Sequence, residues 1–233
     1  MLPKIDKPIY TLTIPSTEQE IRYRPFLVKE EKILLMAAEG KDEAEMLRAI
    51  KQIINNCVVD PGFDVNELSF FDIEYFFIQL RANSVGNIIQ IRITDEELEV
   101  PIMVDLDLNN VQIRNKRKAP LIKITDTMSV QLKYPKADFM DKVEITESYT
   151  KNIFEVVIYL LDKLYDGDQV YKFSEYTKKE VEDFVENLPV QIITEVDEFL
   201  KNMPSVYCEV PYVAGGKEKK AVLSTLSDFF TLG

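Results

Sequence analysis

The sequence predicts an α+β protein, because its hydrophobic period changes in blocks. Apolar residues alternate at the start, in the middle and near the end of the chain, and recur at helical spacing in the two intervals between. Only 7 glycines occur among 233 residues. No Pro-, Gly- or Ser-rich stretch, internal repeat or low-complexity tract interrupts these blocks. No flexible linker is therefore visible, and the order of elements rests on period and punctuation alone.

Tyr10, Leu12 and Ile14 share one face of a short strand, the stretch from Pro15 to Glu20 turns, and Ile21 with Tyr23 marks a second strand. The pair reads as a hairpin. A helix follows from Val28 to Glu39, ended by Gly40. Asp42, with Glu45 three residues on, then opens another in the manner of a capping box. Met46, Leu47, Ile50, Ile53, Ile54 and Cys57 give that helix one apolar side. Cys57 lies on this stripe and reads as a small buried hydrophobe, since no neighbouring cation in sequence lowers its pKa. After the Asp60-Pro61-Gly62 turn, Ser69 and Asp72 open a third helix. Its residues Phe70, Phe71, Ile73, Tyr75, Phe76, Phe77, Ile78 and Leu80 point in every direction. A helix apolar all round must be enclosed, by its own fold or by a partner.

From Asn87 the period falls to two. Ile89, Ile91 and Ile93 form one strand, and Val100, Ile102, Val104 and Leu106 a second. Ile122 and Ile124 mark a third, and Met128, Val130, Leu132 and Tyr134 a fourth. Thr125-Asp126-Thr127 joins the last two, and Tyr134-Pro135 ends the sheet because proline cannot donate to a ladder. Ile153, Val156, Val157, Leu160, Leu161 and Leu164 then read as a helical stripe that stops at Asp166-Gly167-Asp168. Thr177 and Glu180 give a second capping-box pattern, ahead of Val181, Phe184, Val185 and Leu188. A further helix runs from about Pro189 to Asn202. The segments Val206 to Val213 and Lys217 to Leu223, around Gly215-Gly216, read as a β-hairpin, followed by the aromatic tail Asp228-Phe229-Phe230. The expected sections are residues 1–86 (hairpin and helices), 87–135 (a central, mostly antiparallel sheet), 136–204 (helical) and 205–233 (hairpin and tail), packed as one unit or two.

Composition removes much of the catalytic repertoire. The chain has no His, no Trp and 2 Cys, at Cys57 and Cys208. That excludes triads built on histidine, Cys-His pairs and HExxH zinc helices, and two distant cysteines do not make a closed zinc site. The 28 basic and 40 acidic residues leave a net charge of −12, which opposes binding to a phosphate backbone. No apolar run approaches the ~20 residues of a membrane span, and the start MLPKIDKPIY has no apolar signal region. A cytoplasmic location, with no nucleic-acid partner and no membrane span, is expected.

Local motifs give little chemistry. Asp105-Leu106-Asp107-Leu108-Asn109 opens like a calcium loop but has Asn110 where the turn needs glycine and Lys116 where a bidentate glutamate is required. Gly215-Gly216-Lys217 lacks the earlier glycine of a phosphate loop, and Glu218 replaces its Ser or Thr. No G-x-G occurs, so no dinucleotide fingerprint is present and no cofactor is expected. A carboxylate-dependent divalent-metal enzyme is the alternative of another class. Its candidates are Asp95, Glu96, Glu97 and Glu99, then Asp166 and Asp168, then Glu195, Asp197 and Glu198, although such clusters are common on the solvated surface of an acidic chain. The one basic run, Arg114-Asn115-Lys116-Arg117-Lys118, reads as an exposed loop.

Longer strings carry more. KPIYTLTIPSTEQEIRYRPFLVKEEKILLMAAE, AIKQIINNC, RANSVG, IYLLDKLYDGDQVY and LSDFF, in colinear order from about Pro3 to Phe230, resemble the baseplate hub protein family of T-even-like contractile-tailed bacteriophages. The resemblance implies a late viral protein that builds the central hub of the tail baseplate. Its role would be that of a hub subunit or of an assembly factor that leaves before maturity. Expected partners are other hub or tail proteins, in the host cytoplasm during assembly and in the virion tail. Relatives carry a CxxC knuckle near the carboxyl terminus where this chain reads Glu209-Val210-Pro211-Tyr212-Val213-Ala214-Gly215-Gly216-Lys217, so a zinc site does not carry over. A non-enzymatic assembly protein needs adhesive patches, and aromatic anchors commonly dominate such contacts. The candidates are Phe70, Phe71, Tyr75, Phe76 and Phe77 on the third helix, and Phe229 and Phe230 in the tail.

Overall fold

A computed structural model of the chain describes residues 6–40, 42–95, 97, 100–115, 120–143, 146 and 149–229. It divides into two compact units, Met1–Arg114 with Pro204–Gly233, and Asn115–Met203. The architecture is α+β with antiparallel sheets, as the period predicts.

The first unit begins with β1 (Tyr10–Thr13) and β2 (Glu20–Tyr23), paired from Tyr10↔Tyr23 to Thr13↔Glu20. Three helices follow: α1 (Val28–Gly40), α2 (Glu43–Cys57) and α3 (Phe70–Ser84). Asp42 caps α2 by accepting from the N–H groups of Ala44 and Glu45, and Ser69 with Asp72 forms the capping box of α3. The α2 stripe is fully buried at Ile50, Ile53, Ile54 and Cys57, and α3 is enclosed on most sides. Rings lock the two regions: Tyr23 meets Phe76 edge-on at 5.2 Å. Next, β3 (Ile88–Thr94) and β4 (Pro101–Asp107) pair from Ile88↔Asp107 to Thr94↔Pro101, with Ile89, Ile91 and Ile93 facing inward. A short β5 (Gln112–Arg114) ends this part of the unit.

The second unit is a meander with helices. β6 (Leu121–Lys123) and β7 (Met128–Leu132) precede the short α4 (Phe139–Lys142). Then come α5 (Tyr149–Leu160), β8 (Leu161–Asp166), β9 (Gln169–Lys172), α6 (Lys178–Glu186) and α7 (Gln191–Lys201). The sheet order is β6-β7-β8-β9. Val130, Leu132, Val157, Leu160, Leu161, Val181, Val185, Ile192 and Val196 form one core. Here the structure departs from the sequence reading: Leu161 and Leu164 belong to a strand and not to the preceding helix. Leu132 pairs with Leu161 while Gln131 pairs with Lys163, so Asp162 is an extra residue that bulges out of β8. A bulge of one residue lets two side chains three apart point to the same face, which reproduces helical spacing.

The chain then returns to the first unit through β10 (Ser205–Ala214) and β11 (Lys217–Leu223). Gly215 and Gly216 adopt φ of +56° and +76° in the two-residue turn, the backbone a tight hairpin requires. β10 pairs with β5 from Ser205↔Arg114 to Tyr207↔Gln112. The strands read between residues 87 and 135 therefore do not form one sheet. β3, β4 and β5 belong to the first unit, and β6 and β7 to the second. Ile89, Ile91, Ile93, Leu106, Val206, Cys208, Val210 and Leu223 share a core, joined by Ile78 and Ala82 of α3 and by Phe229 of the terminal 3-10 turn. The two ribbons thus enclose one apolar layer, which α3 and the tail help to close.

Candidate interaction surfaces

Three carboxylates of the first unit are fully buried, and each fastens elements to one another. Glu30 of α1 accepts from Arg24 Nη2 at 3.0 Å and from the Leu27 N–H at 2.9 Å. Burial opposes its charge, but the bonds from Arg24 and Leu27 outweigh that and hold its carboxyl below the ordinary range. Arg24 also donates to the Asn56 carbonyl at 2.8 Å, tying the segment just after β2 to the end of α2. Asp72 accepts from the N–H groups of Ser16 at 2.9 Å and Ser69 at 3.1 Å, so the turn of the first hairpin is anchored on the cap of α3. Burial raises its pKa, and the bonds from Ser16 and Ser69 offset that only in part. Asp95, beyond the end of β3, accepts from Tyr212 Oη at 3.0 Å and from Lys219 Nζ at 3.0 Å. Lys219 also reaches Glu97 at 2.8 Å, and its pKa is raised by Glu97 and then Asp95. This group clips the tip of the β3–β4 ribbon to the β10–β11 hairpin.

The other residues singled out by sequence have structural roles. Cys57 is buried, and burial pushes its thiol up to about 11. Arg24 Nη1 does lie 3.7 Å from its sulfur, a cationic neighbour the sequence did not show, but desolvation outweighs it. Asp107 accepts from the Asn109 N–H at 3.0 Å and from Asn87 Nδ2 at 2.9 Å, the geometry of a cap. Arg114 donates to Ser205 Oγ at 3.0 Å and lies over the Tyr207 ring at 5.4 Å. Asp197 pairs with Lys201 along α7. Glu96, Glu99, Lys116, Arg117 and Lys118 lie outside the described residues. Among the described residues, no three His, Cys, Asp or Glu side chains are grouped to hold a metal ion, and no helix is long and apolar enough to cross a membrane.

The structure separates the aromatic contact candidates. Phe71, Phe76, Phe77 and Phe229 are buried within the chain, which takes their rings off the surface a partner would meet. Phe70 and Tyr75 are half-buried, and Phe230 lies outside the described residues. Exposed apolar side chains occur instead on α1, where Val28, Leu35 and Met36 are 87%, 49% and 62% exposed. Their spacing of seven and eight residues places them on one side of that helix.

The second unit carries a cleft of about 380 Å³ lined by Met128, Leu164, Asp166, Tyr171, Phe173, Tyr176, Glu180, Val181 and Phe184. The Phe173 and Phe184 rings lie 5.4 Å apart at 52°, and with Tyr171 they remain half-buried, while Tyr176 is exposed. These rings come from β9, the 3-10 turn after it and α6. Sequence reading placed Phe184 in the α6 stripe and Asp166 among the carboxylates, but nothing local indicated that they meet.

Fold and surfaces together describe an α+β protein whose buried charges bind its own elements to one another. A family model described as T4 bacteriophage base plate protein matches residues 7–231, and the chain belongs to that family. Comparison with curated proteins and with solved structures returned no match.

Proposed function

We propose that this protein is a non-enzymatic component of the tail baseplate hub, acting through contacts with other hub or tail proteins. The family match along nearly the whole chain is the observation that carries the reading. Its buried polar groups support it: Glu30, Asp72 and Asp95 are engaged in joining elements of the fold. Assembly would take place in the host cytoplasm. Phe70 and Tyr75 of α3, Phe230 in the tail and the outer side of α1 are its contact candidates.

A tagged chain captured from infected cells is expected to bring down other tail proteins, and mass spectrometry of purified virions is expected to find the chain retained. Its presence in the cell complexes but not in virions would replace the subunit role with that of a departing assembly factor. No tail protein in the capture would overturn the assembly reading itself.

A further inference from the structure

We propose that the aromatic cleft of the second unit seats an arginine side chain presented by a partner protein. Its volume of about 380 Å³ falls at the small end of the ~300–1,000 Å³ typical of binding clefts. It is too shallow in chemistry for a purely apolar occupant, because two carboxylates, Asp166 and Glu180, line it alongside the rings. Asp166 is half-buried, and among the described residues its carboxylate has no hydrogen bond or ion pair. Glu180 uses Oε2 for the Thr177 N–H at 2.8 Å and Thr177 Oγ1 at 2.7 Å, which leaves Oε1 to a ligand.

No Lys or Arg lines the cleft. Of the cations nearby in sequence, Lys172 pairs with Glu175 at 3.8 Å and Lys178 with Glu155 at 2.9 Å. An apolar peptide laid across this surface would desolvate Asp166 without pairing it, which is costly. A phosphate would meet two like charges. A guanidinium satisfies both halves of the lining, because its flat faces stack on aromatic rings and its forked N–H groups match a carboxylate. An ammonium is more strongly hydrated and offers no plane to stack, so arginine fits better than lysine. That the arginine belongs to another tail protein rests on the assembly reading. That the cleft takes a guanidinium does not.

The probe is N-acetyl-arginine-N-methylamide, titrated into the full chain carrying ¹³C-methyl methionine, with the citrulline counterpart as an uncharged isostere. Saturable shifts of the Met128 methyl, assigned through Met128→Leu, are expected with the arginine compound and not with citrulline. Asp166→Asn should weaken binding about tenfold, the loss of one charge-assisted hydrogen bond, and Tyr176→Ala should weaken it as well. Both replaced side chains lie outside the core, and an unchanged melting temperature checks that each variant is folded. Absence of a saturable shift, equal response to citrulline, or full binding by Asp166→Asn would overturn the cleft assignment. If wild-type chain still captured tail proteins from infected cells, the assembly reading would survive that result.

Discussion

Replacing Phe229 with alanine tests whether the tail is part of the core of the first unit. The ring is 1% exposed and packs in the same cluster as Ile78, Ile89, Val206 and Leu223. Aromatic side chains bury roughly 150–250 Å² each. Losing most of that burial at about 25 cal/mol per Å² costs about 3 kcal/mol before any cavity is counted. Phe→Ala changes in cores typically cost about 3–5 kcal/mol. For a chain of this size the midpoint falls by ~2–4 °C per kcal/mol, so the melting temperature should drop on the order of 10 °C. Calorimetry measures the drop, and hydrogen exchange should show faster opening of the β3 and β10 amides. Val213→Ala, at a side chain 63% exposed on β10, is the control and should change stability by less than about 0.5 kcal/mol. A Phe229→Ala melting temperature indistinguishable from that of the control would refute the assignment of the tail to the core.

Glu74 of α3 accepts from the Leu226 N–H, and burial pushes its carboxyl up to about 7, with Asp228 adding to the rise. The folded state then holds a proton that the unfolded chain releases near the ordinary glutamate value. Stability should therefore fall between about pH 4.5 and 7 and level off above, and denaturant titrations should show a flatter profile for Glu74→Gln. Lys219→Met removes the cation from Asp95 and Glu97, so amides at the β3–β4 tip should exchange faster than in wild type while those of the second unit keep their rates. Cys57, buried with its thiol at about 11, should resist a disulfide reagent in the folded protein and react once denatured, as peptide mass would show. Addition of Mg²⁺ or Mn²⁺ should leave the melting temperature unchanged, and a rise that depends on metal concentration would favour the carboxylate enzyme instead.

Local rules made much of the fold legible. Asp42, Ser69 with Asp72, and Thr177 with Glu180 each marked a helix start that the structure confirms with cap hydrogen bonds. The glycine pair at 215–216 marked the last hairpin. What escaped was non-local or irregular. The bulge at Asp162 gave a strand the spacing of a helix, so β8 was absorbed into the stripe before it. No periodicity says that Ser205 will pair with Arg114 across the 89 residues of Asn115–Met203, so the division of the strands into two units was hidden. Which aromatic rings stay at the surface was obscured in the same way. A helix apolar on all sides signals enclosure but not by what, and α3 is enclosed by its own chain at Phe71, Phe76 and Phe77. The cleft draws on five elements, β7, β8, β9, the 3-10 turn and α6, and Asp166 differs from other surface carboxylates only through the rings brought beside it.

The interrupted path of the first unit sets a timetable for synthesis. When β3 and β4 emerge from the ribosome, the hairpin that will cover Ile89, Ile91 and Ile93 has not been translated. At ~5–20 residues per second, the stretch from Asp107 to Ser205 takes roughly 5 to 20 s to make. By the end of that interval the second unit has all of its sequence, while the earlier ribbon must wait with its sticky side uncovered. A nascent chain stalled or cut before β10 would thus hold one finished body and one half-built, and the half-built one is where aggregation or chaperone capture should begin.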